Sequence, residues 1–538
     1  MKISFKIVIG IVLVLLVAIS GLLYFFYQDT KDPYVQACDY SVPTEVIPTF
    51  TEAKVDFQHS FDASKSLPMM AAVLLDVDND GIDELFVGGG NNQADALFKY
   101  SGGLFADLAS AVFADNKADD PSLGAASGDM DNDGLADLII CRTSGVYLYF
   151  NQHGKFIPRK LNIPFNEKST PVSVSLGDVN KDGWLDMFVA GYIKKEKMEG
   201  QTIFNDANYG ASSLLMLNNN DNTFTDATAA AGLSYVHNTF QGVLIDVNND
   251  GLLDLVVAHD TGEVRTYRNI DGKTFEKVTN PITNKFAYPM GIAAADYNND
   301  GLIDFFFSNT GSSVPEFMAR GDLRDDQTFV KEWILFRNDG NFNFTDAARQ
   351  AKVADFEFSW GAIFEDFNLD GLQDLAVAEN YIDFPPQKAF KLPCRLLIQQ
   401  DSNRFAAVEE QAKAINKNYA ITPLSTDFNT DGYPDLIYSN LAGPLKIFLS
   451  NGAANHFLKI SFQKNAKTLG ARVTVKQNNK TLTDFLYSGE GLCSDQSSTL
   501  TFGLGKDSTL INSVLIHYLS GRTDSLKNIQ PNKMIRID

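Results

Sequence analysis

Seven times between residues 71 and 438 a short apolar run leads into nine mostly polar residues and then into a compact apolar triplet. The first copy runs AAVLL at 71–75, DVDNDGIDE at 76–84 and LFV at 85–87. The later triplets are LII at 138–140, MFV at 187–189, LVV at 255–257, FFF at 305–307, LAV at 375–377 and LIY at 436–438. Uninterrupted apolar residues mean strands covered on both faces. A third strand follows, as in VYLYF at 146–150 or ILFR at 334–337, then an Asn/Gly turn and an outer strand such as FNFTD at 342–346. The copies start 49 to 70 residues apart, a period that suits a four-stranded blade with its loops. The seventh repeat lacks its outer strand, because after LKIFL at 445–449 the chain passes into a different pattern. TFTE at 49–52 resembles the outer strands FTD at 224–226 and 344–346, so the N-terminal segment is expected to complete the last blade and remove a naked sheet edge.

The polar stretches read as calcium loops. Oxygen side chains at positions 1, 3, 5 and 9, a glycine at 6 and the backbone carbonyl of 7 can wrap a hard cation. In chain order these candidate ligands are Asp76, Asp78, Asp80, Ile82 and Glu84; Asp129, Asp131, Asp133, Leu135 and Asp137; Asp178, Asn180, Asp182, Trp184 and Asp186. The later copies offer Asp246, Asn248, Asp250, Leu252 and Asp254; Asp296, Asn298, Asp300, Leu302 and Asp304; Asp366, Asn368, Asp370, Leu372 and Asp374; Asp427, Asn429, Asp431, Tyr433 and Asp435. An EF-hand needs a carboxylate at position 12, where this chain has Val87, Ile140, Val189, Val257, Phe307, Val377 and Tyr438. The nine-residue repeat of β-helical calcium binders fails on period. A lone copy is also compatible with an acidic β-turn that holds no metal; seven copies with an acid at position 9 favour up to seven structural Ca2+ ions.

Charge supports that reading and excludes another. The formal net charge is −22, and 23 carboxylates occupy the ligand positions, so seven divalent ions leave an ordinary acidic surface. Nucleic acid is excluded as a partner, since no basic stripe is present to displace phosphate counterions.

Lys2 and Lys6 precede 21 uncharged residues, 7–27, which match the ~20 needed to span a bilayer as a helix. No small-x-small cleavage site follows, which favours an uncleaved anchor (1–27) over a signal peptide, with the bulk of the chain extracytoplasmic and secretion as the alternative. Residues 28–48, with Pro33, Pro43 and Pro48, read as a stalk. Cys38, Cys141, Cys394 and Cys493 form no C-x-x-C pair, and their pairing stays open.

On these loops and triplets, residues 49–453 resemble the FG-GAP/VCBS repeat family, the blades of integrin α-subunit propellers and their bacterial relatives. The resemblance implies an all-β, seven-bladed β-propeller with calcium in the loop joining the first and second strands of each blade. Asn180, Asn248, Asn298, Asn368 and Asn429 replace Asp at position 3, which that family tolerates, and Glu84 replaces Asp at position 9. Residues 454–538 alternate as a small β-sandwich-like domain. NHFLK at 455–459, GARVT at 470–474, SGEG at 488–491, FGLG at 502–505 and SGR at 520–522 resemble the ASPIC/UnbV domain, with Tyr518 and Leu519 where that domain has Trp-Pro. Propeller plus this domain is the arrangement of the cartilage acidic protein family and its bacterial homologues, and it implies extracellular binding or adhesion without naming any chemistry.

Catalytic motifs are missing: six scattered histidines form no H-E-x-x-H, no G-x-S-x-G occurs, and the glycines before Lys506 lack phosphate-loop spacing. Function is expected on the face opposite the calcium loops, where long second-to-third strand connections emerge at 192–213, 310–333 and 380–395. His237, Tyr288 and Trp360 before the central strands, and His259, Asn309 and Glu379 after the second strands, are candidate ligand-binding residues for a glycan, peptide or protein; packing within the funnel is the competing role for each. The preferred reading is a membrane-anchored extracytoplasmic binding or adhesion protein without catalysis. The alternative is an extracytoplasmic enzyme, for example one acting on polysaccharide, using the same funnel.

Overall fold

The computed structural model describes residues 10, 12–22, 42–198, 210–311, 320, 323–379, 393–400 and 403–537. Past residue 42 the described helical structure is confined to Ala109–Val112 and the short turns Thr44–Val46 and Lys195–Lys197, so the fold is all-β.

Seven sheets of antiparallel repeat strands form among the described residues; six are four-stranded, and the first gains a fifth strand, Ser494–Asp495, parallel to Ala72–Leu75. The first contains Ala72–Leu75, Glu84–Val87, Ala96–Ser101 and Leu104–Asp107 in that spatial order. The first strands of the next five are Ser122–Gly128, Ser169–Gly177, Thr239–Ile245, Ile292–Ala295 and Ser359–Glu365; Ala420–Thr426 takes the same place in the last sheet. Each of these strands packs against the next, and Ala420–Thr426 returns to pack on Ala72–Leu75, so the sheets close into a propeller-like ring. Their small residues follow from that crowding. A Cβ on Gly124 would lie 2.1 Å from the Val172 carbonyl oxygen, and one on Gly361 would lie 2.6 Å from Thr422 Oγ1.

The seam of the ring joins strands some 400 residues apart in the chain. Phe50–Ala53 pairs antiparallel with Lys446–Ser450, Phe50 opposite Ser450 and Ala53 opposite Ile447, as the missing outer strand of the last repeat required. Phe50 is 2% exposed and meets Phe367 edge-on at 6.2 Å, so the N-terminal strand also packs against the preceding sheet.

Two further sheets follow. One orders Thr499–Gly505, His456–Phe462 and Lys533–Ile537; the other orders Lys480–Phe485, Arg472–Gln477, Ile511–His517 and Thr523–Ile529. Leu458, Ile460, Val473 and Ile516 join Met130, Leu176 and Leu185 in one apolar cluster, so this C-terminal part is packed onto the ring.

No helix among the described residues is long and apolar enough to cross a membrane. The expected span 7–27 lies partly outside them: residues 10 and 12–22 are helical, with Val12, Leu13, Val14, Leu15, Leu16 and Val17 exposed.

Candidate functional site

The seven acidic loops share one hydrogen-bonded frame. One oxygen of the position 1 aspartate accepts the N–H of position 5 and the other accepts the glycine N–H, as in Asp178 with Asp182 (3.0 Å) and Gly183 (2.9 Å). The position 5 aspartate accepts the N–H of position 7, as Asp182 does from Trp184 at 3.0 Å. The glycine has φ between +85° and +98° in all seven loops, and position 4 is left-handed too, at Asn79, Asn132, Lys181, Asn249, Asn299, Leu369 and Thr430.

Position 9 has a second task that the sequence pattern did not show. Asp137 accepts the Met130 N–H at 2.9 Å on one oxygen and the Asn151 N–H, from the third strand, at 2.8 Å on the other. Asp186, Asp254, Asp374 and Asp435 repeat both bonds, and Asp304 holds Asn338 in the same way. These acids therefore stitch loop, second strand and third strand together.

Burial of so many acids raises their proton affinity. Desolvation pushes Asp129, Asp178 and Asp246 up to about 6, Asp435 and Asp296 to about 7, and Asp137, Asp186 and Asp254 to about 8. A divalent cation would supply the missing countercharge, and an all-oxygen donor set of carboxylates, amide and carbonyl is what calcium takes. In the second loop, oxygens of Asp129, Asp131 and Asp137 lie within 4.8 Å of one another. Asn180 turns its amide nitrogen toward Asp182 Oδ2 at 3.0 Å, and Asn248, Asn298, Asn368 and Asn429 face their position 5 aspartates likewise. Those five amides must turn over to present oxygen to a cation. The donor chemistry of loops two to seven fits calcium on that condition; in the first loop Lys99 already bonds Asp78, Asp80 and Glu84.

The C-terminal part covers this loop face. Gln463 Nε2 donates to the Gly134 carbonyl, Lys181 Nζ to the Leu519 carbonyl (3.0 Å), Lys480 Nζ to the Asp370 carbonyl (3.3 Å), and Arg536 to Asn79. Lys459, almost fully buried, sets its Nζ 2.5 Å from Asp427 Oδ2.

From the same part a segment, residues 488–496, reaches the axis and touches the first strand of every sheet. Ser494 and Asp495 run parallel to Ala72 and Val73, and the Ala125 N–H donates to the Cys493 carbonyl at 3.3 Å. Gly489 packs so closely on Ser175 that a Cβ there would lie 2.8 Å away. Gln241 donates to the Gly489 carbonyl at 2.6 Å and accepts from Cys493 N at 3.2 Å. Gly491 exchanges two backbone bonds with Ile292, Phe364 N donates to Glu490 at 3.2 Å, and Leu492 N donates to Thr422 Oγ1 at 3.3 Å. Gln241 and Thr422 sit at register shifts of their strands, where a bulge re-aims side chains. Lys464 and Asp495, both buried, pair at 2.9 Å behind the plug.

At the opposite ends of the strands, the six candidate ligand residues are built into the protein. Asn309 accepts from Tyr288 N (2.9 Å) and Thr310 N (2.9 Å) and donates to the Val330 and Glu332 carbonyls, which exhausts its amide. His259 bonds Tyr235 Oη and the Glu263 carbonyl, both at 2.9 Å; His237 packs edge-on against it and bonds the Asp260 carbonyl at 2.8 Å. Burial holds His237 down at about 4, so both rings stay neutral. Trp360 is 1% exposed among Phe240, Phe358 and Tyr419, and Tyr288 meets Phe329 edge-on. Glu379 is fully buried and paired with Arg395, which also binds Glu409 at 2.8 Å. All six have a packing or hydrogen-bond partner within the protein, and His237 and Tyr288 remain half-buried. The long connections expected to carry function, at 192–213, 310–333 and 380–395, fall largely outside the described residues.

One recess does open on this face. It has a volume of about 280 Å3 between the first and second sheets, with Lys65, Asn92, Asp119, Asp120 and Ser144 in its wall. Behind its wall residue Asp120, fully buried Arg142 donates to the Asp120 carbonyl at 2.8 Å and to Asp95 Oδ2 at 2.5 Å. Asp95 in turn accepts from Gly89 N (2.8 Å) and Ser122 Oγ (2.7 Å). The sequence singled out none of these residues. The sign was an arginine directly after the apolar run LIIC at 138–141 of the buried strand Asp137–Arg142, a charge that such a position tolerates only when paired.

A propeller-like ring of acidic loops with a C-terminal β domain defines the class: the chain carries FG-GAP-like repeats, matched at residues 76–140, 129–189 and 246–307, and an ASPIC and UnbV domain, matched at 461–538. Its relatives include cartilage acidic protein 1 of Homo sapiens, 26% identical over 515 residues, covering 88% of this chain and 72% of the human protein. The protein of the same name from Xenopus tropicalis is 25% identical over 333 residues, covering 59% of this chain and 49% of its own length. Among solved structures, an Agrocybe aegerita lectin whose description names specific recognition of non-reducing terminal N-acetylglucosamine superposes with TM-score 0.39 at 16% identity, over 70% of this chain and 93% of its own. The BP39L lectin of Burkholderia pseudomallei gives TM-score 0.44 at 8% identity, over 71% and 96%.

Proposed function

We propose that this chain is a membrane-anchored, extracytoplasmic recognition or adhesion protein: a calcium-braced seven-bladed propeller that takes its ligand on the face opposite the calcium loops. The observation that carries this reading is the capped loop face. C-terminal residues bond to or line most of the acidic loops, and residues 488–496 fill the axis from that side, so a ligand reaches the ring from the other end. Calcium here is a brace, because each loop is clamped by its position 1 and position 9 acids to strands that are buried on both faces. The exposed apolar helix at 12–22 and the span 7–27 supply the anchor.

The recess beside Asn92 and Asp119 is lined by mostly polar residues, lies just below the usual size of ligand pockets, and has the buried Arg142–Asp95 ion pair behind its wall residue Asp120. A polar glycan or peptide terminus suits it better than an apolar ligand. The test is to pass glycan and peptide arrays over purified residues 42–538, scoring both retention and product. Retention without product, weakened by Asn92→Ala and Asp119→Ala at unchanged thermal stability, is the expected result. Measurable product would instead establish the enzyme, and retention untouched by both substitutions would move the site elsewhere.

A further inference from the structure

The first acidic loop carries its own cation. Lys99 Nζ lies 2.7 Å from Asp78 Oδ2, 2.8 Å from Asp80 Oδ2 and 2.7 Å from Glu84 Oε1, so one ammonium bonds three of the four candidate ligand side chains. A calcium ion needs those same oxygens at ~2.3–2.6 Å around its centre. An ammonium converging on them stands in that volume and would repel a second cation there.

The repeats provide an internal comparison. Strand register places Phe150, Leu217, Arg268, Arg337, Ile398 and Leu449 at the position of Lys99 in the other six sheets. Four are apolar. Arg268 comes only to 3.9 Å from Asp250, and Arg337 turns to Asp339, outside the ligand set, at 2.8 Å. Glu84 is the matching change on the other side. In the remaining loops the shorter position 9 aspartate gives one oxygen to a backbone N–H of the third strand; Glu84 reaches further and gives that oxygen to Lys99. Arg536 adds a second positive charge at 3.9 Å from Asp76.

We infer that the loop at residues 76–84 binds no calcium and is held by Lys99 as a built-in substitute ion, so that the sheet beside the seam keeps its loop when calcium is withdrawn. This rests on the calcium reading of the other loops. The experiment compares bound calcium per chain, by equilibrium dialysis and elemental analysis, in wild-type residues 42–538 and Lys99→Met. The inference expects one more ion per chain in K99M than in wild type. Equal, non-zero counts overturn it while leaving the calcium reading intact; zero in both proteins overturns both. Should K99M fail to fold, anomalous diffraction from wild-type crystals grown with calcium decides: peaks in other loops and none at 76–84 support the substitution, and a peak among Asp76, Asp78 and Glu84 overturns it.

Discussion

Closure of the ring by the N-terminal strand makes a quantitative demand on Phe50. Its side chain is 2% exposed, lies edge-on to Phe367 of the neighbouring sheet, and sits on a strand whose first N–H donates to the Ala412 carbonyl at 2.9 Å. Phenylalanine buries ~150–250 Å2, and at ~25 cal/mol/Å2 that amounts to ~4–6 kcal/mol, an upper bound close to the ~3–5 kcal/mol seen when a core Phe is cut to Ala. Phe50→Ala should therefore lose about 3–5 kcal/mol in urea unfolding followed by tryptophan fluorescence. Thr51, the next residue, is exposed, and its hydroxyl bonds Asn451 at 2.8 Å on the surface, so Thr51→Ala should stay within ~0.5 kcal/mol of wild type. If the seam can open alone, F50A will show an early transition and faster hydrogen exchange in 446–450, its pairing partner. Equal stability of F50A and T51A, with unchanged exchange in 446–450, would refute the seam.

Three other outcomes follow from buried charge. Arg395→Met strips the cation shared by buried Glu379 and Glu409 and should cost ~3–5 kcal/mol at neutral pH, a loss that shrinks on acidification as the two acids take up protons; denaturant midpoints at pH 7 and pH 4.5 check both parts. His59 accepts the Ala442 N–H on Nδ1 and is held down at about 4 by burial, so its contribution is complete above the unfolded value near 6.5 and is lost as pH falls from there toward 4. The stability gap between wild type and His59→Gln should close across that window by up to ~3 kcal/mol, and a gap independent of pH would contradict it. Asp495→Ala leaves buried Lys464 without its carboxylate and frees the plug from Ser127; limited proteolysis should then cut near 488–496, where the wild type resists.

How much of this was legible beforehand depends on whether the cause was local. The acidic loops and the triplets after them repeat their chemistry within a dozen residues, so sequence alone placed the sheets, and FTE at 50–52 named its partner strand because outer strands share one pattern. The plug was not legible. SGEG at 488–491 shows two glycines among polar residues, which reads as a turn, and its partners Gln241, Ile292 and Thr422 are some 70 to 250 residues away. The opposite-face candidates were chosen as aromatic and polar residues near the axis, and the structure gives each an internal partner or a packed site. Asn309 illustrates the reason: an amide at a strand end is well placed for a ligand and equally well placed to satisfy four neighbouring backbone groups. Lys99 was readable in principle, as a lysine where the other repeats carry apolar residues or arginine, but its reach across the loop needed three dimensions.

The central claim is that calcium braces the ring, and it is tested most directly by the thermal midpoint of residues 42–538 against free calcium, from chelator to millimolar. The account predicts a midpoint that climbs with calcium concentration, as it must when an ion binds the folded chain and not the unfolded one. A midpoint unchanged between chelator and millimolar calcium would contradict it.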